Sequence, residues 1–132
     1  MAITTEWYDT EKTIIRNIHD GSWTWNEFHK AISDIEEMLE TVPHRVMIIV
    51  DISKSSVMPA GVPSQFSKLR NFWTHPKIEG AIMVGMSRFV QVFFSIFIKV
   101  SPQISQLMQT AGTLDEAEKL IQERRNLAES DK

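Results

Sequence analysis

The chain has 132 residues, 42% of them hydrophobic, which suits a single domain over 1–132 with a core of its own. Its 14 basic and 17 acidic side chains leave a formal charge of -3, so no basic field is available to hold nucleic acid or an anionic membrane through a polybasic patch. There is no cysteine, which excludes disulfides, thiolate nucleophiles and most structural zinc sites, and fits a reducing cytoplasm.

The N-terminal stretch MAITTEWYDTEKT has neither the basic start nor the apolar run of a secretory signal, so a cytoplasmic location is expected. Residues 3–8 and 12–18 are rich in Thr, Ile and aromatics and read as two antiparallel strands around the turn Asp9, Thr10, Glu11. With Thr24 as N-cap, Glu27 completes a capping box and Trp23 and Phe28 take the positions of a hydrophobic staple. The helix that follows carries Phe28, Ile32, Ile35 and Leu39 on one face, with Glu36, Glu37 and Glu40 off it.

Val42 and Pro43 end this helix, and residues 45–50 form an apolar run without alternation, the pattern of a central strand covered on both faces. A serine-rich loop is expected next, followed by a helix over 62–73 with Phe66, Leu69 and Trp73 on its stripe and Pro63 in its first turn. Residues 80–84 repeat the buried-strand pattern, and an apolar helix over 88–100 ends near Ser101 and Pro102. A last short strand is expected over 104–108, then a helix opened by a second capping box at Thr113 and Glu116, with 128–132 as a frayed tail. The order ββαβαβα(β)α predicts an α/β layered domain with a mixed sheet of four to five strands and about four helices.

The helix over 88–100 spans roughly 20 Å against about 30 Å of bilayer hydrocarbon, so it is no transmembrane segment, though it has the length to lie on a surface. Its polar residues Arg88, Gln91, Ser95 and Lys99 form one narrow stripe, leaving Phe89, Val90, Phe93, Phe94 and Phe97 among the residues that cover the rest. A helix on one sheet buries only part of its circumference, so these side chains are the candidate interface or ligand site. Coverage by the C-terminal helix or the last strand is the competing reading.

Evidence for chemistry is thin. The four histidines, His19, His29, His44 and His75, lack metal-ligand spacing and read as surface or loop residues. Residues 80–87 echo a phosphate-binding loop, but Met86 stands where the lysine is needed and the intervening residues form a strand. No GxSxG elbow is present. Asp51, at the end of a buried strand, is the most suggestive lone acid, because ligands of open α/β sheets sit beyond that edge; the plainer reading is that it binds the backbone amides of the following loop. No cofactor is expected.

Five stretches in this order carry a resemblance: 21–28, GSWTWNEF; 44–53, HRVMIIVDIS; 58–61, MPAG; 84–89, VGMSRF; and 113–117, TLDEA. Over nearly its whole length the chain resembles the STAS superfamily, most closely the SpoIIAA-like branch, which is related to CRAL-TRIO lipid-binding folds. The resemblance implies a regulatory domain in which a corner reading approximately Asp-Ser-Ser-Gly carries a phosphorylated serine just before the glycine. Here Ala60 precedes Gly61 and Met58 and Pro59 replace the acid and the first serine, so the usual switch is not expected. The switch-equivalent loop comprises Asp51, Ser53, Ser55, Ser56, Pro59, Ala60 and Gly61, its serines read as turn residues or, alternatively, as sites of modification.

The expectation is thus a non-enzymatic regulatory module working by protein–protein contact, as a homodimer or with another protein, through the 88–100 helix. Binding of a small lipid or a membrane surface is the alternative, and a phosphoswitched contact with an anti-sigma partner a third.

Overall fold

In a computed structural model, residues 2–57 and 59–130 are described, apart from the side chains of Ser56, Val57, Pro63, Phe89, Phe93 and Ser130. Strands β1 (Ile3–Trp7) and β2 (Ile14–Ser22) pair antiparallel, with Thr5 opposite Asn17. Their turn is tied by the Asp9 carboxylate, which accepts from the amides of Thr13 at 2.8 Å and Ile14 at 3.0 Å. Helix α1 (Trp25–Glu40) opens on the expected capping box, the Glu27 amide donating to Thr24 Oγ1 and the Thr24 amide to Glu27 Oε1, each at 3.2 Å. Trp23 stacks on Phe28 with ring centroids 5.7 Å apart, which is the staple. At the other end the Lys77 ammonium donates to the carbonyls of Leu39 and Val42, satisfying the exposed negative end of the helix.

The remaining elements are β3 (Val46–Val57), a 3-10 turn (Val62–Gln65), α2 (Phe66–Trp73), β4 (Ile78–Val84), α3 (Arg88–Val100), α4 (Pro102–Ser105), β5 (Met108–Ala111) and α5 (Leu114–Ser130). The five strands lie in the order β1-β2-β3-β4-β5, with β2 to β5 parallel and β1 antiparallel at the edge. The domain is therefore α/β with a mixed sheet, as its element order predicts.

Parallel crossovers are right-handed, so strands added in sequence toward one side place every crossover helix on the same face. Accordingly Ile35 and Leu39 of α1, Phe72 and Trp73 of α2, Phe97 of α3 and Ile104 of α4 share one core with Ile15, Val46, Ile48, Val50 and Ile52. The opposite face, with Met47, Ile49, Ile82 and Val84, is closed by Ala117 and Ile121 of α5. The alternation of even and odd residues along β3 between these cores explains why 45–50 is apolar without a break.

Two expectations need correction. The strand β3 does not end at residue 50 but continues through the serines to Val57, because the far end of β2 pairs with it, Asp20 with Lys54 and Gly21 with Ser55. Residues 104–108 do not form the last strand: Pro102 sits at the first position of a helical turn that buries Ile104, and β5 starts at Met108 opposite Ala81. The C-terminal helix is described to Ser130, and residues 131 and 132 of the expected frayed tail lie outside the described residues.

Two substitutions test this framework. Thr24→Ala removes the cap oxygen and should lower unfolding free energy by about 1 kcal/mol, read as a lower denaturant midpoint at unchanged slope. Gly85 has φ 76° and packs against β3 so closely that an added Cβ would lie 2.5 Å from Ser53 Cβ and 2.7 Å from Ser53 Cα. Gly85→Ala should therefore cost at least ~2 kcal/mol by the same measurement.

Candidate functional site

The corner after β3 is tied down from several sides. Asp51 lies on the α5 face of the sheet, where Arg16 Nη2 donates to its Oδ2 at 2.9 Å and Ser53 donates to its Oδ1 from the hydroxyl at 2.6 Å and the amide at 3.1 Å. Burial pushes the Asp51 carboxyl up, but the bonds from Ser53 and Arg16 outweigh it and leave its pKa below the usual value. Ser55 Oγ accepts from Trp23 Nε1 at 3.0 Å, and the Ala60 carbonyl accepts from Trp25 Nε1 at 2.7 Å. Pro59 is half-buried, and Ala60 and Gly61 are exposed. Ser53 and Ser55 are thus strand residues with partners, while the side chain of Ser56 lies outside the described residues.

Helix α3 has the expected boundaries and an N-cap at Ser87, whose Oγ accepts from the Val90 amide at 3.3 Å. Its sides differ sharply. Phe97 is only 5% exposed and belongs to the core, where its ring meets Phe66 edge-on at 5.1 Å, and Val90 and Phe94 are half-buried beside it. On the outer side Val92, Ile96 and Val100 are 59%, 45% and 55% exposed, four residues apart on one stripe beside Arg88, Gln91, Ser95 and Lys99. Of the five phenylalanine and valine positions expected as the site, Val90, Phe94 and Phe97 thus face inward, and the side chains of Phe89 and Phe93 lie outside the described residues.

Val90, Phe94 and Phe97 face a chamber of about 120 Å³ between the sheet and the three helices α1, α2 and α3. Its walls are almost wholly apolar, including Trp23, Trp25 and Phe28 at the start of α1 and Phe66, Phe72 and Trp73 from α2. Two polar residues reach it from β2: Asn17 and His19, both buried. His19 Nε2 lies 2.6 Å from Asn17 Oδ1, and Asn17 Nδ2 donates to Thr5 Oγ1 at 3.0 Å. Burial pushes the imidazole pKa down to about 4, against an opposing pull from the Asp51 charge, so the ring is neutral near pH 7.

His19 was expected at the surface or in a loop; it is instead 2% exposed inside the sheet. The signal for it is the period of two along β2, since Ile15, Asn17 and His19 fall on one strand face and Ile15 is a core residue. A second hollow, polar and about 550 Å³, lies at the carboxyl ends of β4 and β5 between α3 and the start of α5, with Gln91, Ser95 and Thr110 in its walls. Asp51 does not line it, and the Glu116 carboxylate there already accepts from the Gly112 amide at 3.0 Å. Among the described residues no cluster of His, Asp or Glu is arranged to hold a metal ion, and no helix is long and apolar enough to cross a membrane.

The buried imidazole has a consequence for stability. Its folded pKa lies below the ordinary 6.5, so the unfolded chain binds the proton first and stability falls as pH drops from about 6.5 toward 4. The loss should be on the order of 3 kcal/mol across that window, seen in urea unfolding at stepped pH. His19→Phe should flatten the profile there; the depressed Asp51 carboxyl adds its own loss only at more acidic pH.

No protein-family model matches the chain, and no curated protein matches it.

Proposed function

We propose that the chain is a non-enzymatic binding module of the STAS kind that acts by protein–protein contact through the outer side of α3, with a second copy of itself as the first partner. The observation that carries this is the aliphatic stripe of Val92, Ile96 and Val100, left open on a helix whose inner side is already packed. Exposed single apolar residues are ordinary, but a run at helical spacing on one flank is the form a helix–helix contact takes. Arg88 and Lys99 lie at opposite ends of α3, about 16 Å apart along its axis. Two copies crossing near Ile96 keep these like charges apart while joining the uncharged middle, and a two-fold axis makes that contact self-complementary. In this reading the corner from Asp51 to Gly61 is a fixed support rather than a phosphoserine switch: Ala60 offers no hydroxyl, and Ser53 and Ser55 are hydrogen-bonded.

The exposed apolar stripe also favours a second reading, contact with a membrane surface through its aliphatic side chains. Vesicle flotation separates the two.

The test is light scattering behind size-exclusion chromatography over a wide range of protein concentration. The wild type is expected to dimerise and Val92→Glu/Ile96→Glu to remain monomeric while still unfolding cooperatively, because both side chains face solvent in the single chain. A wild type that stays monomeric throughout, or a double variant that dimerises as before, would falsify the contact. Phe97→Glu is unsuitable for this purpose, since it places a charge in the core.

A further inference from the structure

The border strand β5 has a neighbour on one side only. Ala81 and Gly85 donate from their amides to the carbonyls of Leu107 and Ala111, and a strand in a parallel pair turns only alternate residues toward its partner. Residues 107, 109 and 111 therefore face β4, while Met108 and Thr110 turn their N–H and C=O groups outward, where the sheet ends. Such an edge is a template for another strand, and edges are commonly blunted by charge or proline. The segment 107–111, LMQTA, carries neither, whereas the opposite edge strand β1 carries the exposed Glu6.

Space lies beside this edge. The polar hollow of about 550 Å³ is walled by Thr110, Ala111 and Gly112 on one side and by Gln91, Phe94 and Ser95 of α3 on the other, and Thr110 is exposed. Its size falls within the roughly 300 to 1,000 Å³ of ligand clefts. Donors and acceptors in the wall are unequal. Ser95 gives its hydroxyl hydrogen to the Gln91 carbonyl, and Gln91 Nε2 donates to the Met86 carbonyl, whereas Glu116 uses only Oε2, toward the Gly112 amide. What these groups still offer is mainly lone pairs, and Glu116 is the one charged residue in the wall. The chemistry calls for an occupant that brings donors and a positive charge.

We propose that β5 accepts an extended peptide segment of a partner protein as a sixth strand, its backbone bonded to Met108 and Thr110 and an arginine or lysine side chain lying in the hollow against Glu116. Strand addition takes its affinity from the main chain and its selectivity from the pockets that alternate side chains enter. Polar walls disfavour a lipid chain, and the lack of a cation in them disfavours nucleic acid. The site is separate from the outer contact of α3, because none of Val92, Ile96 and Val100 lines the hollow.

The probe is a mixture of acetylated, amidated pentapeptides with arginine at the centre and valine or threonine elsewhere, and binding is read by amide hydrogen exchange. In the free protein the Thr110 amide should exchange faster than those of Gln109 and Ala111. The peptides should slow Thr110 by about tenfold or more while leaving those two neighbours nearly unchanged. Glu116→Gln keeps an acceptor for the Gly112 amide and removes the charge, so it should weaken arginine-centred peptides about tenfold and leave glutamine-centred ones unaffected. The proposal is overturned if millimolar peptide leaves Thr110 exchange unchanged, if protection falls equally on Gln109 and Thr110, or if Glu116→Gln binds both peptide sets as the wild type does. The wild-type exchange pattern stands even if the variant does not fold. A chain that stays monomeric in light scattering can still show it, so failure here and failure of the α3 contact are told apart.

Discussion

The handedness of parallel crossovers is the constraint from which the rest of this architecture follows. With β2 to β5 in sequential order, α1, α2 and α3 must share one face of the sheet. Three helices about 9 Å apart and five strands about 4.8 Å apart span nearly the same width, roughly 18 to 19 Å between outermost axes. The outer helices α1 and α3 therefore lie at the borders, and each keeps a flank away from the strands. On α1 that flank carries Glu36, Glu37 and Glu40, the ordinary way for a helix to meet water. On α3 the equivalent position carries Val92, Ile96 and Val100. Geometry explains why both flanks are open; only the side chains set α3 apart.

Those parts of the fold fixed by short-range signals were legible from the residues. The Thr24 capping box, the staple, the apolar runs of β3 and β4 and both ends of α3 follow from spacing alone. The extension of β3 through Ser53 and Ser55 was not legible, because serine has weak strand preference and what holds this segment is the far end of β2, some thirty residues away in sequence and joined through irregular register. The turn at Pro102 was misread because a buried Ile104 followed by apolar residues has the same composition in a helical turn as in a strand. For the helix expected to carry the site, the bounds were legible in the sequence but the rotation was not. When nine of thirteen positions are apolar, periodicity does not decide which side faces in. Phe97 lies inward, where α2 supplies Phe66, and Val92 lies outward, 59% exposed.

The corner beyond β3 illustrates how the aromatic start of α1 organises its surroundings. Trp23 and Trp25 each place a ring against Phe28 and send an indole N–H to a different part of the chain, one to Ser55 and one to Ala60. Each bond contributes about 1 kcal/mol net, but breaking the buried one also leaves Trp23 Nε1 without a partner, at about 1 to 3 kcal/mol. A conformational switch at this corner would have to meet that cost before gaining anything. The same two tethers hold the corner to the start of α1, whose Trp23 and Trp25 also line the pocket.

The cost of His19 is the remaining question. An aliphatic residue at this position would fill more of the space, add apolar contact and avoid an unpartnered nitrogen whose desolvation costs about 1 to 3 kcal/mol. Asn17 recovers only part of this, because its bonds to Thr5 and His19 satisfy Nε2 and leave Nδ1. Packing therefore gives no reason for an imidazole there, and the pH dependence it imposes is a further liability below neutrality. Departures from local optimality of this kind concentrate where a structure meets something other than itself. Here the departure falls on a residue that lines the half-open apolar pocket between the sheet and helices α1, α2 and α3.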